Sequence, residues 1–146
     1  MEKGSCRTSK SLIVITQEVI HFMHNNHEFT RNIIKRHVNR PLRRINDVIC
    51  IFRAIGLIKK TDLAYIYRVV GLAGLGTNTI IDKKDSSLYN LTISVFNLFI
   101  DYGPSVSYSM QYILDIFNKD RRIYDIISVL KGCNILIEQN KRYFLR

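Results

Sequence analysis

The sequence predicts an α+β, mainly helical chain made of two similar modules in tandem, each with three helices closed by a β-hairpin. Three observations predict it: an internal repeat, helical apolar spacing that recurs in each half, and a switch to strand–turn–strand patterning where each half ends. At 146 residues the chain can hold two modules of about 60–70 residues. Its 47% hydrophobic content is enough to pack their cores.

The repeat shows first in "RRINDVICIF" (43–52) and "RRIYDIISVL" (121–130). A shift of 78 aligns Arg43, Arg44, Ile45, Asp47 and Ile49 with Arg121, Arg122, Ile123, Asp125 and Ile127, and also Tyr65 with Tyr143. Upstream the shift is 76. "SLIVITQEVIHFM" places Leu12, Ile15, Val19, Phe22 and Met23 at the same steps as Leu88, Leu91, Val95, Leu98 and Phe99 in "SLYNLTISVFNLF". A loop between the blocks absorbs the difference.

Each module then parses in the same order. Helix 1 follows a serine cap, Ser11 in the first module and Ser86 or Ser87 in the second. Helix 2 is short: "TRNIIKRHV" with Thr30 as cap, and "SYSMQYILDIF" with Ser107. Helix 3 carries the repeated phrase. Its buried stripe is Ile45, Val48, Ile49 and Phe52 in one copy and Ile123, Ile126, Ile127 and Leu130 in the other. Gly56 and Asn134 stand where a helix end needs positive φ. "GLIKKTDLAYIYRV" and "NILIEQNKRYFLR" then read as hairpins, with Tyr65, Tyr67 and Tyr143 as packing residues. Three helices and a hairpin are the winged-helix plan. The chain therefore divides into a tail (1–9), domain 1 (10–70), a Gly-led linker (71–85) with a short ordered patch at Ile80–Ile81, and domain 2 (86–146): two tandem winged-helix (helix-turn-helix plus β-hairpin wing) domains.

Charge points to a partner. The formal net charge is +10, and residues 31–60 hold nine basic residues against one acid, more than solubility requires. With the stripe of helix 3 turned inward, Arg43, Asn46, Asp47, Cys50 and Arg53 point outward, as do Arg121, Tyr124, Asp125, Ser128 and Lys131; Arg44 and Arg122 lie on the flank. A cation at a helix start opposes the macrodipole, so repeating it twice needs another reason. The guanidinium fork matches guanine O6 and N7 in the major groove. Asp47 and Asp125 are placed to hold the arginines extended, or to form ordinary helix pairs.

"RRIYDIISVLKGCNILIE" resembles the recognition helix and following strand of the E2F/DP family of transcription factors, in which an Arg-Arg-x-Tyr-Asp signature opens the DNA-reading helix. The second module carries it whole, at Arg121, Arg122, Tyr124 and Asp125; the first has Asn46 in place of the tyrosine. Two such domains in one chain look like the atypical E2F subgroup, which binds DNA without a DP partner. The resemblance implies sequence-specific binding to double-stranded DNA by an intramolecular pseudo-dimer, at G/C-rich sites of the TTTSSCGC kind. It also implies a nuclear regulator of transcription acting on cell-cycle genes, with repression easier to imagine than activation. By position, Arg43, Arg44 and Asn46 read one half-site and Arg121, Arg122 and Tyr124 the other, with Asp47 and Asp125 orienting them. Phosphate contacts are expected from Arg36, Arg40, Arg53, Lys59, Lys60, Lys119, Lys131, Lys141 and Arg142.

Other functions find less support. The histidines of "HFMHNNH" have no cysteine or carboxylate beside them, and "GLAGLG" lacks the lysine and context of a phosphate loop. No nucleophile–base or paired-carboxylate constellation stands out, so no enzyme, cofactor, metal or small-molecule substrate is expected. No apolar run suits a membrane span, and Cys6, Cys50 and Cys133 read as reduced thiols of an intracellular chain. A tandem winged-helix adaptor between proteins, or a non-specific architectural DNA binder, stays open as an alternative.

Overall fold

The computed structural model describes residues 10–63, 65–78 and 81–146. The expected tail at 1–9, with Cys6, and Ile80 of the expected ordered patch lie outside these residues; Ile81 is exposed and belongs to no helix or strand. Among the described residues no helix is long and apolar enough to cross a membrane.

The first half runs α1 (Lys10–Asn25), β1 (Glu28–Phe29), α2 (Arg31–His37), α3 (Leu42–Ile55), β2 (Ile58–Lys60) and β3 (Tyr67–Val69). The second runs α4 (Ser87–Tyr102), β4 (Tyr108–Ser109), α5 (Met110–Ile116), α6 (Arg122–Gly132), β5 (Leu136–Gln139) and β6 (Arg142–Leu145). Each half is the expected three helices with a small antiparallel sheet, ordered β1-β3-β2 and β4-β6-β5. The two-residue strands β1 and β4 escaped the sequence reading because two residues carry no alternation. They matter for packing: Phe29 of β1 lies edge-on to Phe22 at 5.5 Å, and Tyr108 of β4 edge-on to Phe99 at 5.3 Å.

Most caps are where the residues place them. Thr30 accepts from Ile33 N, and Ser86 from Tyr89 N. Gly56 ends α3 at φ 97, and Asn134 follows α6 at φ 61. Two serines differ. Ser11 sits inside α1, which already begins at Lys10. Ser109, not Ser107, caps α5, because β4 occupies the residues between; Ser107 instead accepts from Arg142.

The hairpins differ in length. Lys60 pairs with Tyr67 in the first wing and Glu138 with Tyr143 in the second, so the first loop is longer. Tyr143 therefore corresponds to Tyr67, which is 1% exposed, whereas Tyr65 is 65% exposed and not a packing residue. The short second wing turns through Asn140 and Lys141, both at positive φ, the type I′ requirement for a two-residue loop.

The two halves share one core. The predicted stripes of α3 and α6 are all at most 1% exposed. Ile51, Ala54, Val129 and Ser128 lie outside those stripes and are equally buried. The reason is a reciprocal seam: helix 1 of each half packs on helix 3 of the other, α1 on α6 and α3 on α4. Burying a side chain such as Ile51 or Val129 is worth about 1.5–3 kcal/mol each. Small residues let the helices approach. A Cβ on Gly132 would stand 2.9 Å from the Thr16 Cβ and 3.2 Å from the Ile13 carbonyl oxygen. The buried hydroxyls of Thr16, Thr92 and Ser128 donate to carbonyls four residues back, those of Leu12, Leu88 and Tyr124.

The segment after residue 70 is not a free linker at its start. A 3₁₀ turn at Leu72–Gly74 packs Gly74 against Gly56, where a side chain on either would collide with the other's backbone. Gly76 N donates to Ile55 O at 3.0 Å, and Asn78 Nδ2 to Arg53 O at 2.8 Å. The orphan carbonyls at the end of α3 are satisfied by this segment.

Substituting Gly132→Ala should lower the stability of the whole chain by about 1–3 kcal/mol through overpacking at the seam. Both halves should melt in one transition, with helix circular dichroism and tyrosine fluorescence coinciding; two resolved transitions would show independent halves.

Candidate nucleic-acid interface

The N-terminal turns of α3 and α6 bring the repeated arginines to the surface, and the four arginines meet different surroundings. Arg43 and Arg121 are exposed and make no side-chain hydrogen bond or ion pair with any described residue. Arg121, Gln111, Leu114, Lys119 and Tyr124 line an open groove of about 360 Å³ beside the start of α6.

Arg44 faces the seam. Its Nη1 donates to Asp47 at 3.1 Å on its own helix, and its Nη2 to Asp125 on α6 at 3.2 Å. Arg122 turns back within the second half. Its Nε and Nη2 grip Asp120 at 3.0 and 2.6 Å, and its Nη1 donates to Ser87 Oγ. Asp120 also accepts from the Arg122 backbone N at 3.0 Å, so it closes the start of α6 as a cap would. The start of α3, at Pro41, has no side-chain cap.

Asp125 thus holds an arginine, but Arg44 of the other half rather than Arg121 or Arg122 of its own. Hydrogen bonds from Arg122 hold the Asp120 carboxyl below its ordinary value, while burial holds Asp47 above its own despite Arg44. Asn46 and Tyr124 are half-buried rather than fully outward. The Asn46 Oδ1 is buried without a hydrogen-bond partner among the described residues.

The basic residues expected on phosphates divide in the same way. Arg36, Lys59, Lys60, Lys119 and Lys141 are exposed. Arg40 instead forms a two-point pair with Glu18 on α1, at 2.9 and 2.7 Å. Arg53 lies across the seam, 4.9 Å from the Tyr89 ring centroid. Lys131 pairs with Glu138 at 2.7 Å and sits over the Tyr143 ring, and Arg142 donates to Ser107 Oγ and O. Geometry also adds Arg31, exposed on α2 and 5.5 Å from the Tyr67 ring centroid.

From the sequence, Asp120 goes unremarked and Ser87 figures only as a possible helix cap. A signal existed for the first: Asp120 directly precedes the second arginine pair, where the 78-residue shift puts Leu42 in the first. Among the thiols, burial pushes Cys133 up to about 12 and raises Cys50 as well, so neither is an activated nucleophile. The histidines of "HFMHNNH" separate, His21 lining a cleft between α1 and the α2–α3 turn, His24 and His27 another at the seam.

A family model described as the E2F/DP family winged-helix DNA-binding domain matches the chain twice, at residues 8–69 and 84–145. No curated protein and no solved structure matches it.

The placement of Arg53 separates a seam role from a phosphate contact. Arg53→Gln should lower the melting temperature through loss of a cation–π contact worth about 0.5–2 kcal/mol. It should leave the salt dependence of duplex binding unchanged, whereas Lys59→Gln with Lys60→Gln should do the reverse.

Proposed function

The chain belongs to the E2F/DP family, with that family's winged-helix DNA-binding domain present twice, and on that premise we propose that it binds double-stranded DNA as an intramolecular pseudo-dimer. Helices α3 and α6 enter the major groove of one G/C-rich, E2F-type site, Arg43 on one half-site and Arg121 on the other. Arg36, Lys59, Lys60, Lys119 and Lys141, joined by Arg31, neutralise phosphates on either side. Tyr124 steadies the contact of α6, and Asn46 takes that position in α3.

The observation that carries this reading is the seam. The reciprocal α1–α6 and α3–α4 packing holds both recognition helices in one body, with an exposed arginine at the start of each. A dimer of winged helices presents two helices to one site in the same way, but here both come from a single chain. A separate DP partner is not needed, because the surfaces it would cover are already occupied by the chain's own other half. As further parts of the proposal, the protein acts in the nucleus on cell-cycle promoters and represses by occupying them. Activation of a reporter by this chain alone would overturn that last part.

Two measurements test the core of the reading. Binding to a G/C-core duplex across a salt series should give a slope of log K against log[salt] of roughly −4 to −5, for about five neutralised phosphates. A flat response would favour a protein adaptor, and a slope without sequence preference an architectural binder. In sequence selection, Arg121→Ala should lose about 1–3 kcal/mol of discrimination at one half-site. Replacing Arg36, Lys59 and Lys60 should weaken all sequences about equally.

A further inference from the structure

We infer that an apolar trough crossing the seam, beyond the C-terminal ends of α3 and α6, docks an acid-flanked amphipathic helix of a partner protein. The surface follows from the fold; only its compatibility with bound DNA rests on the reading proposed above.

The trough is one feature formed twice. Ile20 and His24 of α1 line a groove of about 460 Å³ together with Leu57, just past the end of α3. Phe96 and Ile100 of α4 line a second, of about 480 Å³, together with Ile135, just past the end of α6. The repeat makes these positions equivalent: a shift of 76 carries Ile20 to Phe96 and His24 to Ile100, and a shift of 78 carries Leu57 to Ile135. Leu72, from the 3₁₀ turn of the connecting segment, and Ile135 line both grooves, so the two run into one another. Leu72 is 77% exposed, the most exposed large apolar side chain among the described residues, and Ile100 is exposed as well. A continuous apolar surface of this kind marks a place where another molecule packs.

Charge selects the occupant. Among the described residues no carboxylate side chain lines either groove. The lining groups that can donate to one are His24 and His27 in the first groove and Asn134 and Arg146 in the second. The net charge of +10 acts in the same sense, drawing an anionic partner and repelling a second copy of the chain. A nucleic-acid backbone is anionic too, but it has no apolar group to place in the grooves. A helix with large apolar side chains one or two turns apart fills both grooves at once, and acidic residues beside those anchors meet the donors in each.

The position leaves the reading surface clear. The arginine pairs open α3 and α6, whereas the grooves begin past the last turns of those helices, about 16–20 Å away along their axes. Charges that far apart are screened from one another at physiological salt. A partner seated in the trough is therefore carried to DNA without covering either first turn.

The test is selection on the full chain from a displayed library of random peptides of about 16 residues, roughly four helical turns, followed by anisotropy titration of the enriched peptides. These should carry large apolar residues at i and i+3, i+4 or i+7, with Asp or Glu beside them. Leu72→Glu changes an exposed side chain and should weaken them by more than about tenfold, as should Ile100→Glu from the second groove. Tyr65→Glu, on an exposed residue outside both grooves, should change nothing. His24→Gln, His27→Gln and Arg146→Gln together should weaken them about 2- to 5-fold and make binding less sensitive to salt. A saturating G/C-core duplex should leave peptide affinity within about twofold, since no coupling links the two ends. No enrichment, enrichment of basic or unpatterned peptides, or affinity indifferent to Leu72→Glu and Ile100→Glu would overturn the inference. So would self-association of the full chain that Leu72→Glu abolishes, because the occupant would then be a second copy. Displacement of the peptide by duplex would overturn its compatibility with DNA. A chain that takes the peptides but binds no duplex would sink the DNA-binding reading alone, a different result.

Discussion

Close contact between α1 and α6, and between α3 and α4, is the constraint from which the rest of the structure follows. Helices approach closely where side chains are small, as at Gly132 over Thr16, where an added Cβ would collide. Once the seam closes, α3 and α6 are covered on two sides and only a narrow strip of each stays exposed. A helix so enclosed has few positions at which a charge can reach solvent. Its first turn is the main one, and there both arginine pairs sit.

The same enclosure sorts the positive charge. Of 22 basic residues, several that seem available in the sequence are taken up by the fold: Arg40 by Glu18, Arg53 by Tyr89, Lys131 by Glu138 and Tyr143. These contacts stiffen the scaffold and contribute little to an external field. The cations left at the surface include those on α2, at the start of α3, on the first wing, at Lys83 and Lys84 between the halves, ahead of α6 and at the second wing's turn. The halves are thus alike in backbone and unlike in electrostatics: α2 carries Arg31, Lys35 and Arg36, whereas α5 carries no basic residue. A uniform duplex would meet more positive charge at one half than at the other.

Much of the fold was legible because its causes are local. Apolar spacing gave the stripes of α3 and α6, and hydroxyl caps at Thr30 and Ser86 and left-handed ends at Gly56 and Asn134 follow from single-residue chemistry. What stayed hidden depends on residues far apart in the chain. Ser128 reads as solvent-facing until α1 covers it, and Asp125 reads as a partner for its own arginines until Arg44, 81 residues away, reaches it. Tyr65 was misplaced because the repeat was carried unchanged through a hairpin whose loops differ in length. Asp120 was visible as a mismatch with Leu42, but a mismatch in a repeat gains meaning only when geometry shows what the extra carboxylate holds.

The clasp between Gly56 and Gly74, with the backbone bonds beside it, ties the connection between the halves to the end of α3. Pairing of the two halves is consequently a unimolecular event, governed by an effective concentration set by the chain and not by the abundance of a second polypeptide. Two separate chains form their dimer in proportion to the product of their concentrations and can be drawn away by competing partners. Here the paired form scales linearly with the amount of protein made and stays constant in stoichiometry on dilution. On the proposed reading of the chain as a DNA-binding pseudo-dimer, site occupancy is then a simple saturable function of expression level, graded rather than steep.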